Sequence, residues 1–252
     1  MDTLLILFGS ANMLIRNVDD FQVARLNGQM FINLIPSRFP TIRVFDRINP
    51  ARHDEIAALE TLTNPREKEK SILLSGAAVV DANNPLVQNW NHAPFAYVNP
   101  DGTRFFGPES PSLELASGQQ AALLLAIARR ERFLSRTKEA PIALEMRELC
   151  RAVDGSFADV RGLGVLNNPE ECMLLGRKVV QAGLDGVLFH PHECPTATCI
   201  VALHQRGFGK ADQGNHFKFL WNGKVIEKIY SFNTGQDIIP DELRSSGAIL
   251  AA

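Results

Sequence analysis

The feature that most constrains the fold is a helical segment, residues 118–134, whose two halves differ in character. Residues 121–128 are all apolar, and the second half begins with Arg129-Arg130-Glu131-Arg132. A helix that is apolar all round is stable only when other elements cover it, and cations in its later turns suit the negative end of the helix dipole. The sequence therefore predicts a helix whose first half is buried in the core of a domain.

Helix-like and strand-like patterns alternate along the rest of the chain. Short apolar or alternating runs typical of strands occur at 42–48, 112–116, 142–149, 186–189, 199–203 and, as a hairpin with an Asn-Gly turn, at 217–226. The run at 142–149 is predicted to be an edge strand. Amphipathic spacing predicts helices at 51–62 and 170–182, and the Asn- and Pro-rich stretch 79–100 is predicted to be a long irregular loop. This order of elements predicts a mixed α+β domain.

The overall charge of the chain is nearly balanced. Its 252 residues include 26 Lys and Arg against 28 Asp and Glu, a formal net charge of −2. Such a chain lacks the basic field that dominates affinity for nucleic acids, so direct binding of DNA or RNA is not expected. With 45% hydrophobic and 21% charged residues, the chain has the composition of a globular protein and is long enough for one large domain.

The N-terminus and the cysteines favour a cytoplasmic protein. The apolar run at residues 4–8 follows Met1-Asp2-Thr3 and is too short to span a bilayer, so neither a signal peptide nor a membrane anchor is expected. The chain is also too large to need disulfide bonds. Its cysteines are irregularly spaced, at Cys150, Cys172, Cys194 and Cys199.

Residues 190–199 contain side chains that could bind a metal. His190, His192 and Cys194 lie close together, and Cys199 follows. Zinc sites use His and Cys at short spacings, but no second paired cluster completes a standard zinc pattern here. No metal site is predicted.

An ordered set of motifs resembles the RES-domain family of NAD-consuming toxins from about residue 34 to residue 221. No single motif is specific, but their order along the chain is. The motifs are LIPSRFP (34–40), VFDRI (44–48), LETLTNPR (59–66), VNPDGTRF (98–105), RERFL (130–134), LEMR (144–147), ADVR (158–161), LDGVLF (184–189) and HFKFLWNG (216–223).

The resemblance implies a fold, a ligand and a partner. The fold is ADP-ribosyltransferase-like and α+β, with mixed sheets and flanking helices, and it binds NAD in a cleft where the nicotinamide–ribose bond is cleaved. Most family members are toxins held in check by an antitoxin. We therefore expect an N-terminal extension at 1–33, a RES-like domain at 34–230 and a C-terminal tail at 231–252.

The resemblance also implies roles for individual residues. The chemistry needs arginines that hold the pyrophosphate and a carboxylate that stabilises positive charge developing on the ribose. Arg47 and Arg104 match the arginine positions. Counting without gaps from Arg104 to the motif at 130–134, the family's tyrosine falls on Glu114 and its catalytic glutamate on Leu125. In a later loop, the family's serine falls near Pro191 and its neighbouring arginine near Glu193.

A leucine at the glutamate position predicts weak or absent turnover, because leucine neither accepts a hydrogen bond nor offsets positive charge. Three hypotheses follow. The first is a degenerate NAD site that acts by binding NAD, a related nucleotide or a protein. The second is an active toxin that uses a relocated carboxylate, Glu114 or Glu109. The third is a decoy or immunity partner that pairs with a RES toxin or captures its antitoxin, and self-association into a homo-oligomer is a further expectation.

Overall fold

The computed structural model describes residues 21–37, 85, 88–97, 99–163 and 166–245. Twelve helices and strands follow one another in this part of the chain. In order they are β1 (Gln22–Pro36), α1 (Asn89–Ala96), β2 (Leu113–Ala116), α2 (Gln119–Thr137), β3 (Ile142–Asp159), α3 (Pro169–Gln181), β4 (Gly186–Phe189), β5 (Cys199–Ala202), β6 (Asp212–Trp221), β7 (Ile226–Ser231), β8 (Asp237–Ile238) and α4 (Pro240–Ser245).

The described strands form one sheet in the order β1-β2-β5-β4-β3-β6-β7-β8. Strand β1 also pairs with β3, so the pairings of β1, β2, β5, β4 and β3 make a closed ring. Strands β3 and β4 run parallel, whereas the other pairs are antiparallel. A mixed sheet with flanking helices confirms the predicted α+β class.

Helix α2 has the two-part character that its sequence predicts. Every residue at 121–127 is buried, with exposures of 7% or less. These side chains join a core with Ala158 of β3, Val187 of β4 and Val201 of β5. Burying such a run stabilises the fold by removing apolar surface from water. In the second half of α2, residues 128–131 are half-buried and the later residues are exposed except for Leu134.

A second core lies on the other face of the sheet and fixes which way β2 faces. Leu113 and Leu115 of β2 pack in this core beside Phe157 of β3. Because successive side chains of a strand point to opposite faces, Glu114 and Ala116 must point to the face that α2 covers. Ala116 does pack in the α2 core.

Strand β3 corrects the edge strand predicted at 142–149. It continues to Asp159 and is paired on both sides, with β1 along one side and with β6 and β4 along the other. The sequence did not predict this continuation because polar side chains interrupt the strand pattern. Their hydrogen-bond partners lie on β1, far away in sequence. Arg151 is fully buried and donates to Oδ1 of Asn33 over 2.8 Å, and Oδ1 of Asp154 accepts from the Gly28 backbone over 2.9 Å.

The predicted irregular loop at 79–100 contains a helix, α1, which corrects that interpretation. Pro94 lies within it. The side chain of Asn91 anchors α1 by donating to the backbone oxygens of Pro85, over 3.0 Å, and Gly209, over 2.9 Å. Asparagine and proline are typical of loops. Here, however, the distant backbone oxygen of Gly209 binds Asn91 and holds the helix in place.

Several predictions fall partly or wholly outside the described residues. The strand predicted at 42–48 and the helix predicted at 51–62 lie outside them. Strand β1 crosses the predicted boundary between residues 33 and 34, and the division of the chain into three parts stays a prediction. No helix in the described ranges has the length and apolarity needed to cross a bilayer.

Helix α3 packs so closely on the segment before β2 that a glycine is required. A Cβ atom added at Gly176 would lie 1.8 Å from the backbone oxygen of Phe105, beside Arg104. This contact sets the position of α3 relative to Arg104.

We predict that Gly176→Ala destabilises the protein by about 1–3 kcal/mol, because overpacking forces the helix and the Phe105 segment apart. Urea unfolding monitored by circular dichroism measures the loss. Gly162→Ala is the matched control, since a Cβ added there would have no heavy atom of the described residues within 4 Å apart from its chain neighbours. Equal stability of the two variants would show that the close contact is unimportant.

Candidate functional site

A cleft of about 650 Å³ opens between α2, α3, the segment from Tyr97 to Arg104 and the loop that joins β4 to β5. Its volume is within the usual range for sites that bind small molecules. Acidic, basic and apolar side chains all line it. The lining includes Tyr97, Asp101, Arg104, Glu114, Leu125, Arg129, Arg130, Arg132, Phe133, Cys172, His192 and Glu193.

Strand β2 places Glu114 in this cleft. Glu114 is paired in register with Val201 of β5, and its side chain is only 9% exposed. Its Oε2 accepts from Nη2 of Arg129 over 2.9 Å, and its Oε1 lies 3.6 Å from Nε of Arg104. Two residues that the sequence singled out, Arg104 and Glu114, are therefore in contact.

Arg104 is bound mainly by the loop between β4 and β5. Its Nη2 donates to both carboxylate oxygens of Glu193, over 2.9 and 2.7 Å. Its Nη1 lies 2.7 Å from Nδ1 of His192, which must accept because a guanidinium only donates. Burial would lower the pKa of Arg104, but the Glu114 and Glu193 carboxylates outweigh it and raise the pKa. Arg104 is thus already neutralised by carboxylates of the same chain.

Leu125 occupies the wall of the cleft where the resemblance expects a catalytic glutamate. It is 7% exposed and also lines a small cavity between α2 and residues 32–34 of β1. Its side chain offers no charge or hydrogen bond to a ligand.

Two arginines of α2 lie beyond Leu125 on the cleft wall. Arg129 follows Leu125 by one helical turn and is bound to Glu114. Arg130 lines both the cleft and the small cavity, and its Nε is buried without a hydrogen-bond partner among the described residues. Burial, and then the charge of Arg129, lower the pKa of Arg130.

The remaining positions singled out by the sequence fall in different places. Arg47 lies outside the described residues. Glu109 is exposed and is not part of the described cleft lining. Pro191 is buried, whereas Glu193, two residues later, enters the cleft. Sequence reasoning missed the role of Arg129, although its spacing of four residues from Leu125 puts both on one helix face.

The cleft offers neither a reactive thiol nor a metal site within the described residues. Burial raises the pKa of Cys172 more than the nearby Arg104 lowers it, so its thiol stays protonated. The four cysteines are free. In the ranges the structure describes, no three His, Cys, Asp or Glu side chains come together as metal ligands would.

We predict that Arg104 and Glu193 are energetically coupled. Arg104→Ala and Glu193→Ala should each destabilise the protein by about 1–3 kcal/mol, because each leaves a largely buried charge with fewer partners. The double variant should lose clearly less than the sum of the two. Unfolding in urea gives all four free energies.

The exposed ion pair between Lys228 and Asp237, 3.0 Å apart, is the control for this cycle. Its coupling should not exceed about 1 kcal/mol, since solvent screens exposed pairs. Strict additivity for Arg104 and Glu193 would contradict the coupling.

Comparisons with known proteins assign a family to this structure. The family model described as RES domain matches residues 81–222, more than half of the chain. The uncharacterized protein y4oC of Sinorhizobium fredii (strain NBRC 101917 / NGR234) is 45% identical over 217 residues, which cover 84% of this chain and 92% of y4oC. A chain in the crystal structure of the M. tuberculosis MbcT–MbcA toxin–antitoxin complex is 18% identical with a TM-score of 0.36, covering 68% of this chain and 86% of that one, a likeness too distant to carry an argument. The family match confirms the resemblance: the protein belongs to the RES domain family.

Proposed function

We propose that the protein is a RES-domain protein whose cleft binds a nucleotide of the NAD class without turning it over. The observation that carries the proposal is the state of the carboxylates in the described cleft. Asp101 is paired with Arg136, Glu114 with Arg129, and Glu193 with Arg104. The position of the expected catalytic glutamate holds Leu125.

Cleavage of the nicotinamide–ribose bond needs negative charge next to the ribose as positive charge develops there. A carboxylate already bound by guanidinium groups offers less negative charge, and freeing Glu114 would break its contacts with the half-exposed Arg129 and the largely buried Arg104. Loss of one such preorganised group commonly costs roughly 3–4 kcal/mol, or about a hundred- to thousand-fold in rate. The ion pair of Glu114 with Arg129 and the apolar side chain of Leu125 both favour slow or absent cleavage.

The cleft nevertheless suits a nucleotide as a ligand. Arg129, Arg130 and Arg132 supply cations that could face phosphate groups. Tyr97 is 43% exposed and Phe133 is 53% exposed, and both line the cleft, where an aromatic face could stack on a base. Binding therefore has suitable partners in the cleft, whereas turnover lacks a free carboxylate.

We predict that the purified protein binds NAD in isothermal titration calorimetry but leaves the NAD concentration unchanged during prolonged incubation with phosphate buffer. Chromatography of the nucleotides measures turnover, and an active RES toxin in the same buffer is the positive control. NAD loss in proportion to the amount of protein would contradict the proposal. Absence of NAD binding would contradict the claim that the cleft binds a nucleotide of the NAD class.

A relocated carboxylate is the second candidate, because Glu114 reaches the cleft. Its Oε1 has no hydrogen-bond partner among the described residues and faces Arg104. This oxygen is buried in the unliganded protein, so it would face a ribose only after a rearrangement around Arg104. Under this candidate the protein turns NAD over, and Glu114 supplies the charge that Leu125 does not.

If turnover is found, the second candidate predicts that Glu114→Gln lowers its rate by about a hundredfold or more, because the variant removes the charge and keeps the shape. Glu109→Gln is the matched control, since Glu109 is exposed outside the described cleft lining and its variant should keep the wild-type rate. Equal rates in wild type and Glu114→Gln would eliminate Glu114 as the relocated carboxylate.

A further inference from the structure

Arg130 differs from Arg104, Arg129 and Arg136 in having no anionic partner among the described residues. Arg104, Arg129 and Arg136 each form an ion pair with a carboxylate. Arg130 makes no hydrogen bond or ion pair with any residue in the described part of the chain, although its Nε is fully buried.

This arrangement is unfavourable for the unliganded protein. The Nε side of this guanidinium is removed from water and loses hydration, and no carboxylate or carbonyl of the described residues replaces it. The lowered pKa of Arg130 reflects the same cost, through burial first and then through repulsion by Arg129. Groups that lower stability in this way are often kept because a ligand needs them.

The location of Arg130 indicates what such a ligand would bring. Arg130 and Arg129 are consecutive on α2, and both line the cleft and the small cavity beside it. An anion that enters the cleft beside α2 would meet two guanidinium groups, and among the described residues only that of Arg129 is already bound to a carboxylate. Guanidinium groups hold phosphate oxygens through forked, charge-assisted hydrogen bonds.

Arg104, a further cation of the cleft, is less suited to an anion. Arg104 donates to both oxygens of Glu193 and also faces Glu114. A phosphate at Arg104 would have to displace one carboxylate and then lie next to the other. Like charges at such short range oppose binding.

We infer that Arg130, with Arg129 beside it, forms the seat for a phosphate group of the ligand, and that Arg104 does not. The inference deepens the proposed function and rests on it for the identity of the ligand, because it names the part of an NAD-class nucleotide that α2 holds. A phosphate there would provide the partner that Arg130 lacks.

Titration calorimetry of the full chain with inorganic pyrophosphate and with ADP-ribose tests this seat. We expect the wild-type protein to bind both, and Arg130→Gln to weaken both by about tenfold or more, since hydrogen bonds to a charged group are lost. Arg130→Lys keeps the charge but not the paired hydrogen bonds of a guanidinium, so its affinities should lie between those of the wild type and those of Arg130→Gln. Arg177→Gln removes the same charge from an exposed position on α3 that is not part of the described cleft lining, and should bind as the wild type does.

The melting temperature without ligand separates a binding role from a structural one. Arg130→Gln should melt at or above the wild-type temperature, because the substitution removes a cation unpaired among the described residues, and pyrophosphate should raise the melting temperature of Arg130→Gln clearly less than that of the wild type. A marked loss of ligand-free stability in both Arg130→Gln and Arg130→Lys would overturn the inference. So would wild-type affinity for pyrophosphate in Arg130→Gln, or no affinity in the wild type.

A parallel titration with NAD distinguishes failure of this inference from failure of the proposed function. NAD binding that is insensitive to Arg130→Gln would overturn the phosphate seat and leave the proposed function standing. Binding of pyrophosphate that depends on Arg130, with no affinity for NAD, would support the seat and overturn an NAD-class ligand.

Discussion

The contact between Arg104 and the carboxylates of Glu193 and Glu114 joins the parts of the fold that make the cleft. Arg104 belongs to the segment before β2, Glu114 to β2, and Glu193 to the loop between β4 and β5. Through Arg129, the network also reaches α2. Charges with so little exposure are costly to a folded protein unless they are paired. These ion pairs therefore hold the cleft in shape, and they also bind the carboxylates that line it.

The network makes the two sides of the cleft electrostatically different. Around Arg104, two carboxylates meet one guanidinium, and His192 accepts one of its hydrogen bonds. On the α2 side, Arg130 has no carboxylate partner among the described residues, and Arg132 also lines the wall. A ligand with a negative phosphate and a neutral or positive ring matches this asymmetry better than a simple anion does. Under the proposed function, this charge pattern would orient a nucleotide and disfavour chemistry on it.

Local sequence patterns predicted the elements whose signals are local. The apolar run of α2 and the alternation around Glu114 both gave the correct structure, because burial and strand alternation act within a few residues. The pairing of β1 with β3 and the helix at 89–96 depend on partners more than a hundred residues away, so no window could reveal them. The RES resemblance is confirmed, whereas NAD, the cytoplasm and an antitoxin or cognate RES partner stay predictions.

The departures from the family pattern depend on one another. At the tyrosine position, Glu114 introduces a charge that needs cations, and Arg129 and Arg104 supply them. Near the position of the family's loop arginine, Glu193 adds a second carboxylate, which Arg104 also binds. A glutamate at 125 would then add a third negative charge to a wall that Glu114 already lines, one helical turn before an arginine that is already bound. Leucine avoids this repulsion, so under the proposed function an apolar residue at 125 is compatible with the ion pairs that hold the cleft together.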